Sequence, residues 1–181
     1  MNLQESVRGL TIVNVVATAE LKQSLNLALL SSVEGFHYDP SGYHCAYFKD
    51  RKARGKVSIF GTGKMISVAT KTLEDSERDL EHAKNKLVEL GMINDIGIKA
   101  QLQNIVLTAD LGHTFDIAKF GVRPDVVYEP EQFPGAIYYP QELDGACVLV
   151  FASGKLVFSG IRTAEYVDVC ESVLRELSRL D

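Results

Sequence analysis

The chain has 181 residues, 46% of them hydrophobic, and a formal net charge of −5. That length supports a sizeable core in one or two domains. No apolar run approaches the roughly 18 residues of a membrane helix, so a spanning segment is excluded. The start, Met1-Asn2-Leu3-Gln4-Glu5-Ser6, has neither a basic stretch nor a long apolar one, so no secretory signal is expected. Cys45, Cys147 and Cys170 lack metal-ligand spacing and read as core thiols of a reducing cytoplasm.

A β-branched run, Thr11 to Thr18, opens the chain as a strand, and Leu21, Leu25, Ala28 and Leu29 follow at the spacing of a short helix. Segments bounded by Gly and Pro then predict strands over Gly42–Phe48, Lys56–Phe60 and Met65–Ala69. A long amphipathic helix comes next. Thr72 suits its N-cap, with Asp75 three residues on, Leu73, Leu80, Ala83, Leu87 and Leu90 form its apolar stripe, and Gly91 suits its C-terminal cap. After a join over residues 91–100 the order repeats. Ile105 to Thr108 predicts a strand, Phe115, Ile117 and Ala118 a short helix, and Ala136–Tyr139, Cys147–Phe151 and Leu156–Ser159 three strands. A closing helix runs from Thr163, with Ala164, Val167, Cys170, Val173, Leu174 and Leu177 inward.

The repetition extends to individual residues. Asn14 and Asn104 are 90 apart, as are Tyr38/Tyr128, Asp39/Glu129, Pro40/Pro130 and Tyr43/Phe133; the offset becomes 91 for Phe60/Phe151, Gly63/Gly154 and Lys64/Lys155. The chain is therefore a duplicated unit, with residues 1–91 and 92–181 as tandem copies of one pseudo-twofold body. Such a body suits a ligand that is itself nearly twofold. The expected fold class is α+β, one antiparallel sheet with helices on a single face.

Strand alternation leaves the other face uncovered. Val57 and Ile59 share one side of their strand, Ser58 and Phe60 the other; Val13, Val15 and Ala17 point one way, Asn14, Val16 and Thr18 the other. The open side would present Val16, Phe60, Val106, Leu149, Phe151 and Val157 around Asn14 and Asn104. An apolar face of that size marks an interaction surface, for a ligand or for a second copy in a homodimer. Charge is divided between the copies: Lys49 to Lys71 carries +6, while Asp125 to Arg162 carries −3. His37, His44, His82 and His113 are scattered without a catalytic or metal-binding signature, and Gly61-Thr62-Gly63-Lys64 is too short for a phosphate-binding loop and sits between two strands. No enzyme activity and no cofactor are expected.

Three ordered motifs, Leu102-Gln103-Asn104-Ile105-Val106, Tyr128-Glu129-Pro130-Glu131-Gln132-Phe133-Pro134-Gly135 and Phe151-Ala152-Ser153-Gly154-Lys155, have weaker counterparts in the first copy: Val13-Asn14-Val15-Val16, Tyr38-Asp39-Pro40 and Phe60-Gly61-Thr62-Gly63-Lys64-Met65. With them the chain resembles the TATA-box-binding protein family, in its short archaeal form, from about Leu10 to Leu180. The resemblance implies a duplicated saddle: a curved antiparallel sheet with helices on its convex face. The concave face would bind and bend A·T-rich promoter DNA through the minor groove, where A·T pairs present only acceptors and G·C pairs add an amino group.

By that resemblance Asn14 and Asn104 donate at the centre, and Val16, Ile66, Val106, Leu149 and Val157 lie against base edges. Tyr43, Phe60, Phe133 and Phe151 stand at the positions of the rings that wedge between bases. Lys64, Lys71, Lys155 and Arg162 would hold phosphates, with Thr62, Ser153 and Ser159 supplying hydroxyls, and each phosphate contact would steepen the salt dependence of binding. Glu129, Glu131 and Gln132 resemble the acidic loop that docks transcription factor B, through which RNA polymerase would be engaged indirectly. The free protein would pair with a second copy through the concave face. No membrane contact is expected, and the protein would act in the cytoplasm at the nucleoid.

The departures from the family fall mostly in the first copy. Tyr43 replaces Phe, Ser58 a bulky apolar residue and Val68 a Thr; Gly42 and Tyr139 stand at positions that are often basic. The first half-site would then be read loosely, or the chain would be a divergent paralogue serving mainly as a protein-interaction module. A third reading, the DNA-repair glycosylase domains that contain a related half-saddle, is not expected, because no catalytic Lys/Asp helical region follows here.

Overall fold

The computed structural model describes residues 6, 7 and 9–180. Two compact units emerge. One is built from Asn14–Gln103, the other from residues up to Val13 together with those from Asn104 onward. In the latter, β1 (Ser6–Val7) pairs antiparallel with the start of β2 (Leu10–Glu20), Val7 opposite Leu10.

The Asn14–Gln103 unit continues with a 3-10 turn (Leu27–Leu30), β3 (Phe36–His37), β4 (Cys45–Phe48), β5 (Lys56–Phe60), β6 (Lys64–Thr70) and α1 (Leu73–Glu89). Its strands lie antiparallel in the order β3-β4-β5-β6-β2. Alternation decides the faces: Val15, Ala17, Val57, Ile59 and Met65 are buried in one core with Leu80, Ala83 and Leu87 of α1. Burying each such side chain contributes about 1.5–3 kcal/mol.

Both ends of α1 are made as the sequence predicts. The Thr72 hydroxyl accepts from Asp75 N at 3.0 Å. At the other end Gly91 takes a φ of +66°, Gly91 N donates to Val88 O and Met92 N to Leu87 O, which is a Schellman cap. The chain then stays tied to the unit. Ile93 is buried, Lys84 Nζ lies 3.0 Å from both Glu81 and Asp95, and Gln23 exchanges hydrogen bonds with the Asn94 backbone.

The second copy gives β7 (Gln101–Asp110), α2 (Ile117–Phe120), β8 (Val126–Val127), β9 (Ala136–Tyr138), β10 (Cys147–Val150), β11 (Lys155–Ile161) and α3 (Tyr166–Leu177). The order is β7-β11-β10-β9-β8. Val148, Val150, Leu156 and Phe158 are buried on the inner side, as are Val167, Cys170, Val173 and Leu177 of α3. Arg123 closes one end: its Nε and Nη2 donate to the two oxygens of Asp125 at 2.9 and 2.8 Å, and its guanidinium lies over the rings of Phe120 and Tyr138.

Several expectations are corrected. Leu90 is 43% exposed and not part of the buried stripe of α1. Phe115 precedes α2 and does not belong to it, because its N–H donates to Ala152 O. Leu21 and Leu25 do not begin a helix, because their N–H groups donate to Gly63 O and Gly61 O of the β5–β6 hairpin, and only Leu27–Leu30 coils. Val13 does not share a face with Val15. Leu10 and Ile12 are buried, Val13 is 42% exposed and burial resumes at Val15, so the alternation of β2 slips where the strand passes from one unit to the other. Cys147 is not a core thiol; it is half-buried, unlike Cys45 and Cys170. The Cys170 thiol is pushed up to about 12 by burial.

Candidate nucleic-acid interface

The side of each sheet away from its long helix is lined by half-buried side chains in cross-strand rows. In the Asn14–Gln103 unit the row is Tyr47, Ser58, Ile66 and Thr18, with Ser58 directly opposite both Tyr47 and Ile66. In the other unit it is Ile137, Leu149, Val157 and Thr108. Val16 and Val106 are half-buried on their strands. Five aliphatic side chains of the predicted set, Val16, Ile66, Val106, Leu149 and Val157, thus sit on this outer side and not in a core.

Each asparagine is fixed by a β-bulge. Along β6 and β2, Ser67 opposes Ala17 and Thr70 opposes Val15, which leaves one extra residue on β6. Ala69 takes up the slack at a φ of +64°, and its N–H donates to Asn14 Oδ1 at 2.7 Å. Between β11 and β7 the slip falls from Phe158 to Ile161, Gly160 has a φ of +85°, and its N–H donates to Asn104 Oδ1 at 2.9 Å. With Oδ1 committed inward, Nδ2 of each amide is the group left to meet a ligand. The pairing of Asn14 with Asn104 is legible in the sequence; the bulges are not.

The aromatic positions differ between the copies. Phe133 and Phe151 meet edge-on with ring centroids 5.8 Å apart. Gly135 makes room for them, since a Cβ there would come within 2.9 Å of Phe133 and 3.1 Å of Phe151. The first copy has Cys45 at the matching position. There Tyr43, 50% exposed, packs edge-on against Tyr47 at 5.3 Å, and Lys56 Nζ lies 4.2 Å above the Tyr47 ring. Phe60 is half-buried opposite Cys45.

Lys64 and Lys155 leave matching hairpins. Gly63 N donates to Phe60 O and Gly154 N to Phe151 O, each glycine at φ near +90°. A Cβ at Gly63 would reach 2.2 Å from Gln23 O, and one at Gly154 would reach 2.0 Å from His113 O, so only glycine fits where the next loop docks. Beside each hairpin lies a hollow. One, of about 610 Å³, is lined by Thr18, Lys22, Lys64, Lys99 and Gln103; the other, of about 680 Å³, by Thr108, Phe151, Ser153, Lys155 and Val157. Thr62, Lys71 and Arg162 are exposed, and Ser159 is half-buried opposite Cys147.

The basic loop between β4 and β5 is held by carboxylates. Asp79 accepts from Arg54 N and Gly55 N, and Asp50 accepts from Lys52 N and Ala53 N while its other oxygen lies 2.7 Å from His82 Nε2. Burial opposes ionisation of Asp50, but His82 and the two backbone donors outweigh it and hold its carboxyl below the usual range. The predicted partner loop is a turn in which Gln132 N and Phe133 N both donate to Glu129 O, leaving Glu129, Glu131 and Gln132 exposed. In its first-copy counterpart Asp39 accepts from Ser41 N and Ser41 Oγ, which lowers its carboxyl. Among the described residues no cluster of three or more His, Cys, Asp or Glu side chains is placed to hold a metal, and no helix is long and apolar enough to cross a membrane.

The same two-copy pattern appears in the comparisons. The family model for transcription factor TFIID (or TATA-binding protein, TBP) matches residues 9–90 and again 99–180. The chain belongs to the TATA-binding protein family. It is 36% identical over 157 residues to the TATA-box-binding protein of Cenarchaeum symbiosum (85% of each chain), and 32% identical over 187 residues to that of Natronomonas pharaonis (99% of this chain, 100% of the other). The solved structure of Methanococcus jannaschii TBP superposes with a TM-score of 0.77 at 27% identity, covering 94% of this chain and 99% of that one. The α+β fold of the family is therefore this chain's fold, and the family is one of transcription factors, not of enzymes.

Sequence reasoning missed Tyr47, Lys56 and Ile137 on the outer side. The signal was available, because strand period 2 puts Tyr47 on the side of Tyr43 and Lys56 on the side of Ser58 and Phe60, and the offset of 90 pairs Tyr47 with Ile137.

Proposed function

We propose that the chain is a general transcription initiation factor that binds TATA-type promoter DNA through the minor groove, bends it and recruits transcription factor B. The observation that carries this reading is the pair of bulge-locked asparagines. Each spends its acceptor on a backbone N–H and offers a donor, and the edges of A·T pairs in the minor groove present acceptors only. Val16, Ile66, Val106, Leu149 and Val157 then lie against base edges. Phe133 and Phe151 wedge into a base step, with Phe60 and Tyr43 as the first-copy counterparts, and the bend increases the contact area. Lys64, Lys71, Lys155 and Arg162 hold phosphates, helped by Thr62, Ser153 and Ser159. The Glu129–Gln132 loop offers its acidic side chains to factor B, which brings RNA polymerase. The free protein pairs with a second copy through its outer faces and acts at the nucleoid in the cytoplasm.

A gel-shift series with an A·T-rich duplex and its G·C-substituted counterpart tests this. Retention of the first and not the second supports it; equal, negligible binding to both overturns it.

A further inference from the structure

The two outer rows are not chemically equivalent. Where the second copy places Leu149 between Ile137 and Val157, the first places Ser58 between Tyr47 and Ile66. The Ser58 side chain is shorter than leucine, is half-buried on the outer side and makes no protein hydrogen bond among the described residues. Tyr47 stands opposite it and Lys56 two residues before it on β5, and these join Tyr43 in one polar group through the Tyr43–Tyr47 edge contact and Lys56 over the Tyr47 ring. Their second-copy counterparts are Phe133, Ile137 and Cys147.

In the minor groove a G·C pair differs from A·T by the guanine N2 amino group, a protruding donor that needs both room and an acceptor. Leu149 supplies neither. Ser58 supplies both, because its hydroxyl can accept and its short side chain leaves space. We infer that the first copy accepts a G·C pair beneath Ser58 while the second excludes G·C beneath Leu149, so the protein reads an asymmetric element with one mixed half and one strictly A·T half. This rests on the minor-groove reading above. A lone G·C pair would then also fix the orientation in which a pseudo-symmetric protein sits on its site.

The test is a binding scan of an A·T-only duplex in which each position in turn is replaced by G·C, with wild type, Ser58→Leu, Ser58→Ala and Leu149→Ser. For wild type, substitutions in one half should weaken binding about tenfold or more, the usual scale for a mismatched pair, while at least one position in the other half changes it less than about threefold. Ser58→Leu should abolish that tolerance, Ser58→Ala should weaken it by removing the acceptor but not the room, and Leu149→Ser should create a tolerated position in the strict half. Ser58 and Leu149 are half-buried on the outer side and not in a core, so all variants should keep the wild-type melting temperature, and each G·C penalty is read relative to the same variant's own affinity for the A·T-only duplex. Equal penalties in the two halves, or tolerance that survives Ser58→Leu, would overturn this inference while leaving minor-groove binding intact. Failure to bind the A·T duplex at all would overturn both.

Discussion

The proposed function gives Asn104 two separable jobs, and two substitutions divide them. Its Oδ1 accepts from Gly160 N at 2.9 Å; its Nδ2 is the donor assigned to a base. Asn104→Ala removes both and leaves the bulge N–H without its partner, a loss of about 1 kcal/mol at this half-exposed site, or about 2–4 °C in melting temperature for a chain of this size. Asn104→Asp keeps an oxygen for Gly160 N, so the melting temperature should stay within about 2 °C of wild type. It replaces the donor with an anionic acceptor that faces base acceptors and nearby phosphates. One lost base contact is worth roughly 1–3 kcal/mol, so affinity for an A·T duplex should fall by about ten- to a hundredfold. Thermal melts and fluorescence anisotropy on the same preparations read both quantities. If Asn104→Asp binds like wild type, Nδ2 is not the donor; if it melts as early as Asn104→Ala, the Oδ1 contact to the bulge is not what holds Gly160.

The remaining predictions concern stability. Ser67 Oγ is fully buried and, among the described residues, has no hydrogen-bond partner; Ser67→Ala should raise stability by about 1–3 kcal/mol in a denaturant titration. The bulge residues should respond in opposite directions. Ala69→Gly relieves a positive φ and should be neutral to stabilising, while Gly160→Ala forces a Cβ to 3.0 Å from Ala146 Cα at a φ of +85° and should cost about 2 kcal/mol. Asp125 is held below the ordinary carboxylate range by the Arg123 guanidinium. Its contribution is therefore complete above the unfolded value of about 4 and disappears as pH falls through the lowered folded value. Acid titration of stability should show a shallower loss below that pH for Asp125→Asn than for wild type.

What could be read from the chain alone follows from the range of each interaction. The caps of α1 at Thr72 and Gly91 are local, and β5 alternates strictly, so both were legible. Duplication made paired residues informative: Asn14 with Asn104 and Gly63 with Gly154 marked positions whose reasons became visible only in space. The failures are non-local. The helix-like spacing of Leu21 and Leu25 lost to backbone bonds with the β5–β6 hairpin. The flip at Val13 arises because one strand serves two cores. Gly135 and Cys45 look unremarkable in sequence, yet one admits the Phe133–Phe151 pair and the other stands where Tyr43 turns to Tyr47. Of the two carboxylates that anchor the basic loop, Asp50 is local, but Asp79 comes from α1, farther along the chain.

Under the proposed function, this protein reads the floor of the minor groove. Inosine·cytosine separates that from every other property of G·C, because it lacks only the guanine amino group in that groove and keeps the major-groove pattern. Affinity should be compared for three duplexes of one length, with A·T, G·C and I·C pairs at the contacted positions. I·C should bind within a few-fold of A·T, with G·C weaker by about tenfold or more. If I·C instead binds as weakly as G·C, the guanine amino group is not what the protein senses, and minor-groove readout is refuted.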